Sequence, residues 1–343
     1  MKEKVLIGMS GGVDSSVAAL LLKEEGYEVI GATMQLLDDD KTKEAIKDAK
    51  KICELIKIEH IVIDLRKEFK EQIIDDFIKS YKEGRTPNPC VNCNRKFKFG
   101  LFLEEAKKRG INYIATGHYA KVENNHLVMS DVESKDQSYF LCQIKKEVLP
   151  HILFPLNKYK TKEEVRNIAS NYNLEVSKKK DSQEICFIPN DDYKSFLKNK
   201  IKTKSGNITL KDGTILGKHN GIYNYTIGQR KGLNIAYKEP LYVLEINVDK
   251  NEVIVGSNDE LYHKTLTATN MNYLIEKEEF FKEQEIYAKI RSRAKLEKVL
   301  NIKEENNNLV VTFENKERAI TPGQLIAFYN KDKICIAGGY IEK

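Results

Sequence analysis

Apolar residues in the first half of the chain recur in two alternating rhythms. Continuous apolar runs, Val5 to Met9, Val29 to Met34, Ile61-Val62-Ile63 and Tyr113-Ile114-Ala115, read as buried strands. Between them the spacing is helical. Ser15 to about Glu25 is predicted as a helix stopped by Gly26. Ala45, Ile46, Ala49, Ile52, Cys53 and Ile56 mark one face of a second, from about Lys41 to Ile56. Phe69, Ile73, Ile74, Phe77, Ile78 and Tyr81 mark a third, and Phe99 to Arg109 a fourth that ends at Gly110. Such alternation predicts an α/β fold with a doubly wound parallel sheet. Ligands of these sheets sit beyond the carboxyl ends of the strands. Three strand ends then share one rim: Ser10-Gly11-Gly12, Met34 and Gly117-His118.

The rhythm changes after about Phe196. Gly206, Gly213, Gly217 and Gly221 punctuate short runs, followed by Leu241 to Val248, Val253-Ile254-Val255, Ala288-Lys289-Ile290, Leu309 to Phe313 and Ile334 to Tyr340. Glu304 to Asn308 reads as a hairpin turn. The expectation is a first domain over 1–198, then two small β domains over 199–266 and 267–343, the last barrel-like.

Composition narrows the setting. Of 343 residues, 41% are hydrophobic and 31% charged, as in packed globular proteins. No apolar run approaches the roughly 20 residues of a membrane span. The N-terminus enters a strand without a signal-peptide pattern, so a cytoplasmic protein is expected. The net charge of +6 favours acidic partners. Its clusters, Arg95-Lys96-Lys98, Lys178-Lys179-Lys180, Arg230-Lys231 and Arg291-Arg293-Lys295, each lie near a chemical motif, which points to an RNA backbone.

Gly8-Met9-Ser10-Gly11-Gly12-Val13-Asp14-Ser15 joins the first strand to the first helix. Small residues let backbone N–H groups converge on an anion, and a helix N-terminus adds positive potential. The spacing is neither the Walker pattern nor the dinucleotide fingerprint. Ser-Gly-Gly-x-Asp-Ser resembles the loop of ATP pyrophosphatases, which implies ATP and Mg²⁺; a plain glycine turn capped by Ser15 is the alternative. Met34 can lie against an adenine ring, and Gly117 permits close backbone approach.

Six cysteines divide into two groups. Cys53 and Cys335 lie in apolar patterns and read as core, and Cys142 is ambiguous. Cys90 and Cys93 follow Gly84-Arg85-Thr86-Pro87-Asn88-Pro89, where the prolines predict an extended, non-helical segment through Asn94. Cys186 sits in a distant polar loop, Lys179 to Pro189. Arg95 and Lys178 to Lys180 are candidates for lowering thiol pKa values. One Cys-x-x-Cys pair is too few for structural zinc, and the context is wrong for a thioredoxin-like dithiol. Two sulfur-transfer chemistries stay open. Cys90, Cys93 and Cys186 are candidate ligands of a [4Fe-4S] cluster, or one cysteine carries a persulfide that another releases by closing a disulfide. His60, His126, His151, His219 and His263 show no metal spacing, and Asp38 to Asp40 read as an acidic helix start.

Taken together, Gly8 to Ser15, Gly84 to Cys93, Ala115 to Ala120, Lys135 to Phe140, Asp181 to Phe187, Tyr225 to Leu233 and Thr321 to Gln324 resemble the bacterial tRNA-specific 2-thiouridylase (MnmA/TrmU) family nearly end to end. The resemblance implies that Gly8, Met9, Ser10, Gly11, Gly12, Val13, Asp14, Ser15, Met34 and Gly117 bind ATP. It implies that Cys93 is the nucleophile and Cys186 the persulfide carrier, able to pair as a disulfide. Asn88, Pro89 and Cys90 would touch the target base. His118, Lys135, Asp136, Gln137, Arg291, Ser292 and Gln324 would meet tRNA of the Lys, Glu and Gln type. A cysteine desulfurase or relay carrier would deliver the sulfur. Many relatives have Asp at Cys90 and Tyr at Ser292, and the region after Met34 is shorter here.

Overall fold

The structure, a computed structural model, describes residues 2–174, 176, 185–202 and 204–342. Strands β1 (Lys4–Gly8), β2 (Glu28–Gln35), β3 (Glu59–Asp64) and β4 (Tyr113–Ala115) alternate with helices. After a small hairpin, β5 (Lys121–Glu123) and β6 (His126–Val128), the chain adds β7 (Ile152–Leu153). The sheet order is β3-β2-β1-β4-β7, all parallel. Val5, Leu6 and Ile7 are fully buried because helices cover both faces. The order reverses between β1 and β4, so the loops following these two strands flank the crevice where such folds bind ligands.

The helices follow the sequence pattern with one correction. Asp39 caps Asp40–Leu55 by accepting from the Thr42 N–H at 2.7 Å, which accounts for the acidic cluster. The segment Gly84 to Asn94 was expected to be wholly non-helical. It is extended only to Asn88; Pro89 opens the helix Pro89–Cys93, which continues through a π-helical stretch, Asn94–Leu101, into Phe102–Lys108. Proline at the first helical position loses nothing, because that N–H has no intrahelical partner. Asn88, held in the extended region before it, makes the sharp entry. The helix Lys162–Asn171 had no counterpart in the sequence reading, although Thr161 caps it by accepting from the Glu164 N–H at 3.1 Å.

Beyond it, β8 (Gly206–Thr209), β9 (Ile215–His219), β10 (Tyr242–Asn247) and β11 (Glu252–Gly256) form a four-stranded sheet, in the order β10-β11-β8-β9. Strands β12 (Tyr262–Tyr273), β13 (Ile286–Lys289), β14 (Glu297–Glu305), β15 (Asn308–Arg318), β16 (Leu325–Asn330) and β17 (Cys335–Ile341) close a barrel. Asn306 and Asn307, with φ of 52° and 63°, turn the β14–β15 hairpin. No described helix is long and apolar enough to cross a membrane.

The stretch Lys135 to Phe140 welds the barrel to the first sheet. Tyr139 donates from its hydroxyl to the Leu325 carbonyl at 3.0 Å, and Ser138 Oγ meets Tyr329 Oη at 3.0 Å. Asp136 accepts from Ser130 and Ser138 and faces buried Lys289 at 3.9 Å. Across the seam, Asn272 donates to the carbonyls of Cys142 and Ile144 at 2.9 and 2.8 Å. Cys53, Cys142 and Cys335 are fully buried. A Cβ on Gly338 would fall 2.5 Å from Cys142 Sγ and 2.9 Å from its carbonyl oxygen. Gly338→Ala therefore overpacks the seam and destabilises the protein by about 1–3 kcal/mol. The expected readout is a lower urea midpoint; an unchanged midpoint would contradict so close a contact.

Candidate active site

The loop after β1 is built for an anion. The helix Val13–Glu24 starts at Gly12, which has no side chain to cap the N–H groups of the first turn. Ser15 does not cap the helix: its Oγ accepts from the Ser10 N–H at 3.2 Å and donates to the Gly12 carbonyl at 3.2 Å. Gly11 has φ +67°, and a Cβ there would lie 2.7 Å from the Ala45 carbonyl oxygen. Gly117, in the loop after β4, packs on the same turn; its Cβ would sit 2.9 Å from Asp14 Cβ and Ser15 N. Gly11 and Gly117 leave no room for larger residues. Met34, at the end of β2, is half-buried against the same sheet.

Asp14 is the anionic centre of this rim. Its carboxylate accepts from the Tyr119 hydroxyl at 2.9 Å and is ion-paired with Lys162, the first residue of its helix. Lys135 and Lys162 hold their ammonium groups 5.1 and 5.7 Å from the Tyr119 ring centroid. Lys162 went unread in the sequence, since nothing in its local pattern says that it reaches a loop so far back along the chain. Gln137 orients the cluster by accepting from the Tyr119 N–H at 2.8 Å. His118 is bonded to Thr116 Oγ1 at 2.7 Å and tilted against Phe99; burial, aided by Lys98, holds its pKa well below 6.5.

The cysteines meet on the neighbouring side. Cys93 is 9% exposed and shares an apolar cluster with Phe69, Phe77, Phe97 and Phe187. Phe187, next to Cys186, packs edge-on against Phe77 at 5.3 Å and Phe69 at 5.9 Å. This aromatic cluster brings the distant loop to Cys93. Cys90 and Cys186 are exposed residues whose sulfurs are still crowded by protein. Burial pushes Cys93 up to about 11 and Cys186 up to about 12, and raises Cys90. Cys93 and Cys90 add to the rise at Cys186, so the three thiols lie within electrostatic reach of one another. Lys98 opposes the rise at all three. Arg95 is turned away, donating to Gln143 at 2.8 Å, so Lys98 is the cation at the thiols among the described residues. Lys178 to Lys180 and Asp181 to Glu184 lie outside the described residues. Among those described, no three His, Cys, Asp or Glu side chains stand at metal-ligating spacing.

Three motifs that are remote in sequence converge on the extended segment before Cys90. Gly84, at φ +68°, would bring a Cβ to 2.7 Å from Val248 of the central sheet. Thr86 donates its N–H to Pro322 at 2.9 Å and accepts from Gln324 Nε2 at 2.8 Å. Its hydroxyl reaches Thr226 Oγ1 at 3.5 Å. Of the other expected RNA contacts, Arg291 donates to the Ala319 carbonyl at 2.7 Å, Ser292 is half-buried beside it, and Asp136 is 7% exposed, its carboxylate turned inward.

A parallel sheet with this loop at its switch point defines a nucleotide-binding α/β protein of the ATP pyrophosphatase type, extended by two β modules. Residues 3–190 match the family described as "tRNA methyl transferase HUP domain", 194–257 its "PRC-barrel domain" and 263–341 the "Aminomethyltransferase beta-barrel domain". The chain is 45% identical over 357 residues to the tRNA-specific 2-thiouridylase MnmA of Clostridium botulinum (strain Alaska E43 / Type E3), covering 99% of this chain and 98% of that one. It is 47% identical over 358 residues to MnmA 2 of Clostridium tetani, covering 100% and 99%. It is 47% identical over 344 residues to MnmA 1 of Fusobacterium nucleatum, covering 99% and 93%. The chain belongs to the tRNA-specific 2-thiouridylase (MnmA/TrmU) family.

Two outcomes follow from the site. Lys162→Met strips the cation from Asp14 and is expected to lower ATP-dependent pyrophosphate release by about 10²-fold; wild-type release would remove Lys162 from the site. Because burial favours the neutral thiol, alkylation of Cys93 by iodoacetamide should climb about tenfold per pH unit from 7 to 10 without levelling. A plateau above pH 8.5 would contradict the raised pKa.

Proposed function

We propose that this chain is an ATP-dependent tRNA 2-thiouridylase acting on the wobble uridine. The reading is supported by Cys93 and Cys186 lying within electrostatic reach of each other, with Phe187 packed in the cluster of Cys93, in a chain alike from end to end to named 2-thiouridylases. Residues 1–198 serve as the catalytic domain, and 199–266 and 267–343 place the RNA. Gly8 to Ser15, with Met34 and Gly117, hold ATP. Asp14 would hold Mg²⁺, which would supply positive charge to the departing pyrophosphate.

The uracil 2-oxygen is a poor leaving group. It attacks the α-phosphorus of ATP, pyrophosphate departs, and the oxygen becomes part of a good leaving group, AMP. The uridine leaves the anticodon stack to reach Asn88, Pro89 and Cys90. The terminal sulfur of a persulfide on Cys186 bonds to carbon 2, and AMP leaves with its electron pair. The Cys93 thiolate then attacks the Cys186 sulfur. The bond to the transferred sulfur breaks, its pair stays on that sulfur as the thiocarbonyl, and a Cys93–Cys186 disulfide remains for a thiol reductant to open. No step is routed through an iron–sulfur cluster. A cysteine desulfurase or relay carrier supplies the persulfide, and tRNAs of the Lys, Glu and Gln type are the substrates, in the cytoplasm. His118, Lys135, Asp136, Gln137, Arg291, Ser292 and Gln324 form the RNA side of the site, some by contact and some by shaping it.

Cys186→Ser is expected to abolish 2-thiouridine formation while tRNA affinity stays within about twofold. Nucleoside mass spectrometry and filter binding measure the two. Wild-type thiolation by this variant would end the persulfide assignment.

A further inference from the structure

The turn Thr321 to Gln324 grips the segment before Cys90 at Thr86. Both backbone polar groups of Thr86 are taken by it: the N–H by the Pro322 carbonyl at 2.9 Å, the carbonyl by Gln324 Nε2 at 2.8 Å. The turn is itself pinned to the last barrel strand. Gly323 donates its N–H to the Ile341 carbonyl at 2.9 Å, and the Ile341 N–H returns to the Gln324 carbonyl at 2.8 Å. Gly323 adopts φ +88°, and a Cβ there would stand 3.0 Å from Thr86 N and O. One residue earlier, Arg85 pairs with Glu342 at 2.8 Å. Only Pro87, with its φ fixed by the ring, separates Thr86 from Asn88. A shift at Thr86 is therefore passed on to Asn88, Pro89 and Cys90 with little loss.

We propose that Gln324 is a positioning residue, which clamps Thr86 and so fixes the approach of Asn88 to Cys90 to the thiols. This rests on the 2-thiouridylase reading. Its carboxamide donates across a domain seam to the one carbonyl that precedes the Pro-Asn-Pro run. A misplacement of about 1 Å at a reacting base lowers rate far more than it lowers binding.

The test compares Gln324→Leu, which removes the donor, with Gln324→Lys, which keeps an N–H donor and adds a cation. Three quantities are read: tRNA Kd, the single-turnover rate of thiolation at saturating tRNA, and hydrogen exchange of the peptide containing Thr86. The clamp predicts that Gln324→Leu keeps Kd within about twofold, loses at least about tenfold in rate and exchanges faster at Thr86, and that Gln324→Lys recovers most of the rate and the protection. A weaker Kd with wild-type rate and exchange for Gln324→Leu, and a tighter Kd for Gln324→Lys, would overturn it in favour of RNA contact. Wild-type values in all three for Gln324→Leu would overturn it as well. If the wild-type chain makes no 2-thiouridine, the functional reading fails by itself, and the exchange arm still decides the clamp.

Discussion

The placing of the chain from Gly84 to Cys93 governs the whole site. Residues of three separate modules press on it: Val248 on Gly84, Thr226 and the Pro322–Gln324 turn on Thr86, and the aromatic cluster on Cys93. A short loop with two prolines has little packing energy of its own. Part of its position is set by contacts that exist only when the barrel and the central sheet are docked. This gives the two β modules a structural part in the chemistry, beyond any surface they offer to RNA. The buried seam of Asp136, Ser138, Tyr139, Tyr329 and Lys289 keeps the barrel docked, because breaking one member leaves a polar or charged partner stranded in an apolar interior.

The electrostatics of the site divide along the same line. On the nucleotide side, Asp14 is met by Lys162 and Tyr119, so charge is paired before any ligand arrives. On the sulfur side, burial keeps Cys93 and Cys186 protonated at neutral pH, and Lys98 only moderates this. Nucleophilic reactivity then has to come with a change in their surroundings, such as the arrival of the persulfide, whose terminal sulfur ionises far more readily than a thiol. His118 stays neutral in the same apolar setting, so it serves as a hydrogen-bonding group and not as a cation for phosphate.

Much of this was legible in the sequence, for physical reasons. The strands of the parallel sheet are buried on both faces and so read as unbroken apolar runs, and the glycine loop declares itself because no other residue tolerates φ +67° against Ala45. The Asn306-Asn307 turn was equally plain. The helix starting at Pro89 was not, because proline breaks a helix everywhere except at its first position. Lys162, Lys98 and the Thr86–Gln324 clamp were hidden for another reason: each acts across a tertiary contact, and a local pattern carries no record of what lies opposite. Arg95 illustrates the converse error, since adjacency to Cys93 in sequence put it near the thiols when its side chain points to Gln143.

The central claim is that Cys93 and Cys186 share one site beside the nucleotide loop. Mild oxidation of the full-length protein with diamide, followed by proteolysis and mass spectrometry, tests this directly. The account predicts that a peptide pair linked through Cys93 and Cys186 dominates. Oxidation that leaves Cys186 joined to neither Cys93 nor Cys90, and blocked only singly by the reagent, would contradict it.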